Sequence, residues 1–248
     1  GGWPGANPTD SAFFEAAPSL DHARLAAFGM TRRAGRSAAN DEVLAAVVNA
    51  GTGAVCLVGK AHPFHVEHAL GITREENLES IRASVAHLVA LGREAIFDAE
   101  HFFDGYAADP AYAIDCLRAA LEAGARWVVL CDTNGGRLPD EIGRVVAEVI
   151  AGGVPGGRLG IHTHDDTGMA VAGTLAAVAA GARQVQGTLN GLGERCGNAN
   201  LTALIPTLLL KEPWASRFET GVSREALAGL TRLSRRLDDI LNRVPLRS

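Results

Sequence analysis

The sequence contains no long apolar run, no block of basic residues and no pair of cysteines at metal-knuckle spacing, and each absence removes a class of function. Without a stretch of about 20 apolar residues there is no candidate membrane-spanning helix. The opening residues also lack the charged, apolar and small-residue succession of a signal peptide, so a cytoplasmic location is the expectation. A net charge of −5, with no basic and aromatic interleaving, offers neither nucleic acid nor an anionic membrane surface a place to bind. Cys56, Cys116, Cys131 and Cys196 are far apart and form no C-x-x-C, which argues against a disulfide framework or zinc knuckle and fits a reducing compartment. An initiator Met is missing too: GGWPGANP begins the chain as though it were cut from something longer. Small-molecule chemistry is the class that is left.

With 248 residues, 47% of them hydrophobic, the chain can bury one sizeable α/β core. Short apolar runs recur, each followed by a polar or glycine-rich turn and then a stretch with helical spacing. They predict strands near Leu25–Phe28, Val55–Gly59, Ala95–Asp98, Trp127–Cys131, Leu159–His162 and Val185–Leu189. One local theme, Ala123-Gly124-Ala125-Arg126 and again Ala180-Gly181-Ala182-Arg183, precedes two of them, with Gly ending a helix just before the strand. Pro139 with Asp140 and Glu141 opens a helix running to Ile150, and Asp166 reads as the N-cap of the Ala-rich run to Ala180. Alternating units of this kind predict a parallel sheet, doubly wound or closed as a barrel. No G-x-G-x-x-G follows the first strand, and polar residues gather after several different strands, so a TIM-type (β/α)8 barrel with its site at the C-terminal mouth is the expected fold.

Only six strands are legible, and GGWPGANP reads as the exit from a seventh. The expectation is therefore an incomplete barrel lacking strand 1 and most of strand 2. Residues 1–214 would form this partial catalytic domain. Residues 215–248, with an amphipathic helix over Arg224–Leu241 and an unfinished RVPLRS end, would begin a C-terminal helical linker region.

The mouth would carry Arg32 and Arg33, then Lys60 and His62, then Glu100, His101 and Asp104. Asp132, Thr133 and Asn134 follow the next strand, then His162 and His164, then the loop from Asn190 to Asn198. In IHTHDDTG, successive strand residues point to opposite faces, so His162 and His164 share one face and can meet at one cation. The triplet His62, His65 and His68 invites a second metal site, but at i, i+3, i+6 only adjacent members share a helical face, and a solvated helix start explains them as well. Glu194 and Arg195 read as a pair that shapes their loop.

IHTHDDTGMAVA followed by QVQGTLNGLGERCGNANL resembles the H-x-H-[ND]-D-x-G and N-G-x-G-E-R-x-G-N signatures of the metal-dependent acyl-CoA condensing barrels. These are the 2-isopropylmalate, citramalate and homocitrate synthases, with hydroxymethylglutaryl-CoA lyase a more distant relative. GGWPGANP, FDAEHFFDGY and CDTNGG most resemble the longer citramalate synthase branch, and the likeness covers nearly the whole chain. It implies that His162, His164 and Asn198 bind a divalent metal (Mg, Mn or Zn), that Glu100 contacts the reacting centre, and that Thr133 binds the keto acid's carboxylate. The family's Asp ligand and the Arg that polarises the keto group belong to a D-T-T-L-R-D-G segment with no counterpart in this sequence.

The implied reaction condenses acetyl-CoA, the co-substrate, with a 2-keto acid, most simply pyruvate to give citramalate, in branched-chain amino-acid biosynthesis. The complete enzyme would be a homodimer. The fragment itself is expected to be inactive and to hold metal weakly. The alternatives are a sibling synthase, an aldol lyase running the reverse chemistry, or, from another class, a non-catalytic truncated remnant.

Overall fold

The structure, a computed structural model, describes residues 2–17 and 19–244. Residues 245–248, which hold most of the RVPLRS end, lie outside the described residues. Helix α1 (Pro8–Glu15) leads to β1 (Ala26–Met30), and α2 (Glu42–Asn49) follows. Then come β2 (Ala54–Lys60), α3 (Arg74–Ala90), β3 (Glu94–Glu100), α4 (Phe102–Ala108) and α5 (Pro110–Glu122). Next are β4 (Trp127–Asp132), α6 (Pro139–Ala151), β5 (Leu159–Thr163), α7 (Ala170–Ala180) and β6 (Gln184–Gln186). The chain finishes with α8 (Leu201–Leu210), α9 (Trp214–Arg217), α10 (Arg224–Leu227) and α11 (Leu230–Ile240).

The six strands form one sheet in chain order, and every pairing is parallel. This is the expected incomplete barrel: β1 and β6 are the two ends of the arc. The main chain of Gly2 lies at the β1 end, where its carbonyl accepts from Phe28 N–H at 2.9 Å. Several helices start where local chemistry supplies a partner for free amides. Asp41 accepts from the N–H groups of Val43 and Leu44, Thr73 from that of Glu76, and Asp109 from that of Tyr112 beside Pro110.

Side chains alternate across each strand, and the inner face is the one that carries polar groups towards the C-terminal strand ends. Val55 and Leu57 of β2, Phe97 and Ala99 of β3, Val128 and Leu130 of β4, and Leu159 and Ile161 of β5 are buried in the core beneath the helices. The alternate positions, Cys56, Asp98, Glu100, Cys131, His162 and Gln186, face the concave side. Burying the apolar face holds the arc together, and thereby presents the polar face as one surface.

Three local expectations are corrected. Helix α7 begins at Ala170, with its first free amide satisfied by Asp165 Oδ1 at 2.9 Å, while Asp166 instead engages Arg195. The strand expected over Val185–Leu189 stops at Gln186, because Thr188 leaves the sheet to bridge Asn200. The helix expected over Arg224–Leu241 is two, α10 and α11, parted at Ala228 and Gly229.

Candidate active site

His162 sits on β5 and His164 just past its end, and their Nε2 atoms are 3.3 Å apart. Asn198, 7% exposed, reaches the same point, its amide 3.0 Å from His162 Nε2. The backbone explains why. His164 and Asn198 form an antiparallel bridge, Ala199 N–H bonds to Thr163 O at 3.1 Å, and Asp165 N–H bonds to Gly197 O at 2.9 Å. Two residues from one strand and one from the following loop are thus locked to the same patch of main chain. Burial, then the neighbouring His162 and Arg195, lower the His164 pKa below its ordinary value and favour the neutral ring that can bind a cation.

The donor set fits a divalent ion. The two Nε2 atoms, 3.3 Å apart, are close enough for one ion to be held between them. His162 Nδ1 is engaged by Gln186 Oε1 at 2.7 Å, so the ring's proton sits on Nδ1 and the Nε2 lone pair faces the mouth. His164 Nδ1 is buried without a hydrogen-bond partner. Among the described residues no three His, Cys, Asp or Glu side chains gather as metal ligands, and the polar group beside the two imidazoles is the Asn198 amide, whose NH2 faces His162.

Glu100 closes β3 directly opposite Lys60, the last residue of β2, and the two side chains form a short ion pair only 25% and 17% exposed. Thr133 lies on the intervening side of the mouth, two residues beyond Cys131, which registers with His162. Its hydroxyl accepts from His101 N–H at 2.8 Å and keeps its own proton free to donate. Arg195 makes a two-pronged pair with Asp166, both contacts 2.8 Å, and also donates to Thr133 O at 2.7 Å. It therefore ties the β6–α8 loop to the β4 and β5 ends, with Asp166 rather than Glu194 as its partner. The structure joins His162, His164 and Asn198 directly. Glu100 and Thr133 stand on neighbouring strand ends of the same rim, each with its own partner.

The other histidines gather differently. His65 stacks on His101 with ring centroids 4.1 Å apart, and His62 lies 5.1 Å from His65. His62 Nδ1 accepts from Phe64 N–H at 3.1 Å as the chain turns into a π-helix over His65–Leu70. His101 has a left-handed backbone (φ 56°), and its buried Nδ1 has no hydrogen-bond partner.

Sequence reasoning passed over Asp98 and Gln186. Asp98 is 5% exposed, and its Oδ1 accepts from Gln186 Nε2 at 2.7 Å. Burial first raises its pKa, while the charge of His162 and bonds from Cys56 and Gln186 pull the other way. The signal available was alternation: Asp98 precedes Glu100 by two and so shares its face, as Gln184 and Gln186 share theirs.

The chain is 51% identical over 249 residues to the (R)-citramalate synthase of Streptomyces coelicolor, covering 99% of this chain and 45% of that protein. It is 46% identical over 254 residues to that of Synechocystis, again covering 99% of this chain and 45% of the relative. It thus spans less than half the length of these curated relatives. Among solved structures, the hydroxymethylglutaryl-CoA lyase of Bacillus subtilis superposes with a TM-score of 0.74 at 19% identity, covering 95% of this chain and 76% of the lyase. The lyase of Acinetobacter baumannii, solved with coenzyme A and 3-methylmalate, superposes with a TM-score of 0.73 at 20% identity, covering 98% and 78%. These likenesses confirm the barrel fold, and with residues 2–232 matching the HMGL-like family, the chain belongs to that family.

Proposed function

We propose that this chain is the barrel segment of an enzyme that condenses acetyl-CoA with a 2-keto acid, pyruvate giving citramalate. The observation that carries the reading is the meeting of two imidazole nitrogens 3.3 Å apart beside the Asn198 amide, at the C-terminal ends of parallel strands. Relatives named (R)-citramalate synthase at 46–51% identity favour pyruvate over the larger keto acid of the 2-isopropylmalate synthases, which match at 37% over 180 residues.

In this reading His162, His164 and Asn198 hold a divalent cation, Mg, Mn or Zn, and that ion when bound supplies Lewis-acid polarisation of the keto carbonyl. The rest falls to the chain's own groups. Thr133 donates its free hydroxyl proton to the keto acid's carboxylate while His101 N–H fixes the oxygen. Glu100, steadied by Lys60, sets an anionic edge beside the carbon that accepts the acetyl group. The Arg195–Asp166 pair holds the loop that bears Asn198. Three neutral donors leave most of the cation's charge to be balanced elsewhere, so the 248-residue chain alone is expected to bind metal weakly. The complete enzyme would work as a homodimer.

The test is release of free CoA thiol from acetyl-CoA by the gene product that carries this segment, with pyruvate and other 2-keto acids supplied in turn. Pyruvate-dependent release that disappears in His164→Ala supports the reading. Release indifferent to the keto acid, or unchanged in that variant, sinks it.

A further inference from the structure

The concave face contains a polar chain of which the metal-binding reading uses only the last link, from Gln186 to His162. Asp98 on β3 accepts from the Gln186 amide NH2 on β6, and the Gln186 carbonyl accepts from His162 Nδ1–H on β5, both at 2.7 Å. Each link constrains the next. A carboxylate oxygen can only accept from an amide, so the NH2 end of Gln186 faces Asp98 and its oxygen faces the imidazole. That oxygen cannot donate, so Nδ1 of His162 must carry the proton, and Nε2 is left with a bare lone pair. The far side of the ring agrees: the Asn198 NH2 donates to Nε2 at 3.0 Å. Cys56 on β2 lies on the same concave face as Asp98.

From this geometry we infer that Asp98 and Gln186 are positioning residues that set the tautomer of His162 and so aim its Nε2 lone pair into the mouth. The inference rests on the reading of His162 as a metal ligand. It adds a division of labour between the two histidines, because His164 Nδ1 has no hydrogen-bond partner to fix its tautomer. The relay spans β3 to β6, bonding residues 88 apart in sequence. A packing role would be met equally well by an apolar side chain of Gln186's size, whereas a tautomer role would not.

The experiment uses the 248-residue chain itself, labelled with 15N on the histidine rings, and long-range 1H–15N correlation spectra that report which nitrogen of each ring is protonated. His162, assigned by His162→Asn, should show the Nδ1–H form. Free neutral imidazole favours Nε2–H, and Gln186→Leu should move His162 towards that mixture. Asp98→Asn preserves volume and guards against a misfolded first variant; because its amide can either donate or accept, it should give a partial shift the same way. An Nε2–H ring in the unaltered chain overturns the inference without any variant, as does a ring unmoved by both substitutions. A parallel titration with Mn2+, read by paramagnetic broadening, should show Gln186→Leu weakening binding about 10–100-fold. Mn2+ binding that is lost in His164→Ala yet unchanged in Gln186→Leu overturns ligand positioning. Binding unchanged in His164→Ala condemns the metal-site reading instead, and leaves the tautomer spectra to decide on the relay.

Discussion

Two groups of histidines stand on the same rim, and they differ in where their nitrogens point. His162 and His164 bring Nε2 atoms to 3.3 Å with an amide beside them, and the outer nitrogen of His162 is held by Gln186. His65 and His101 come together by their faces instead, 4.1 Å between centroids, while His62 commits Nδ1 to a backbone amide. Proximity alone makes neither group a metal site. What distinguishes them is whether ring nitrogens converge, and that depends on backbone: strand alternation in the first group, a left-handed residue and a π-helix in the second.

The largest expected effect tests that distinction. His164→Ala should remove measurable divalent-metal binding, whereas His65→Ala should leave it unchanged, both read by calorimetric titration. Equal losses would erase the contrast. A matched pair of glycines sharpens it. Gly135 has φ 62°, and a Cβ there would sit 2.5 Å from Asp166 Oδ2 and 3.0 Å from the carbonyl carbon of His164. Gly105 packs α4 against the turn at His62, where a Cβ would meet the Ala61 carbonyl oxygen and lie 2.9 Å from His62 Cα. Alanine at either position should cost about 1–3 kcal/mol in denaturant unfolding. Only Gly135→Ala should also weaken metal binding. If Gly105→Ala weakens it equally, the two groups are coupled.

Lys60→Met should cost somewhat less, about 1–2 kcal/mol, by leaving Glu100 partly buried without its cation. The loss should shrink in the double variant with Glu100→Gln, and a double variant as unstable as the single one would mean that Lys60 acts through packing alone.

The smallest expected effect is with pH. Burial first, then neighbouring charge, puts His62, His101 and His164 below their ordinary 6.5. The unfolded chain then takes up protons before the folded one, so the stability these rings contribute is full above 6.5 and lost as pH falls through their lower folded values. Buried Asp98 and Asp132, with raised values, act in the opposite sense. The check is therefore a difference: between about pH 7.5 and 5.5 the chain should lose stability relative to His101→Asn. A gap that widens in the chain's favour on acidification contradicts the direction assigned to His101.

The strands were legible because each is a short apolar run bounded by turns, and the pairing of His162 with His164 followed from a period of two. Asn198 came from the resemblance of its loop, since nothing in local spacing says that residue 198 returns to residue 164. Asp98 and Gln186 were passed over for a related reason. Their partnership exists only because the curved sheet turns the inner faces of β3 and β6 towards each other, and FDAE by itself reads as an ordinary strand end. The break between α10 and α11 escaped notice because the apolar spacing continues across Gly229 and conceals it.

The bridge between His164 and Asn198 also bears on time. Because these two residues share one hydrogen-bonded stretch of backbone, their relative order is lost or kept with the fold, and on the proposed metal reading an arriving ion would meet a loop already pinned to β5. On that reading the rate of entry would be a property of the ion's own water shell. Mg2+, which gives up water reluctantly, should enter slowly, and its slowness should be insensitive to any substitution that leaves the bridge intact.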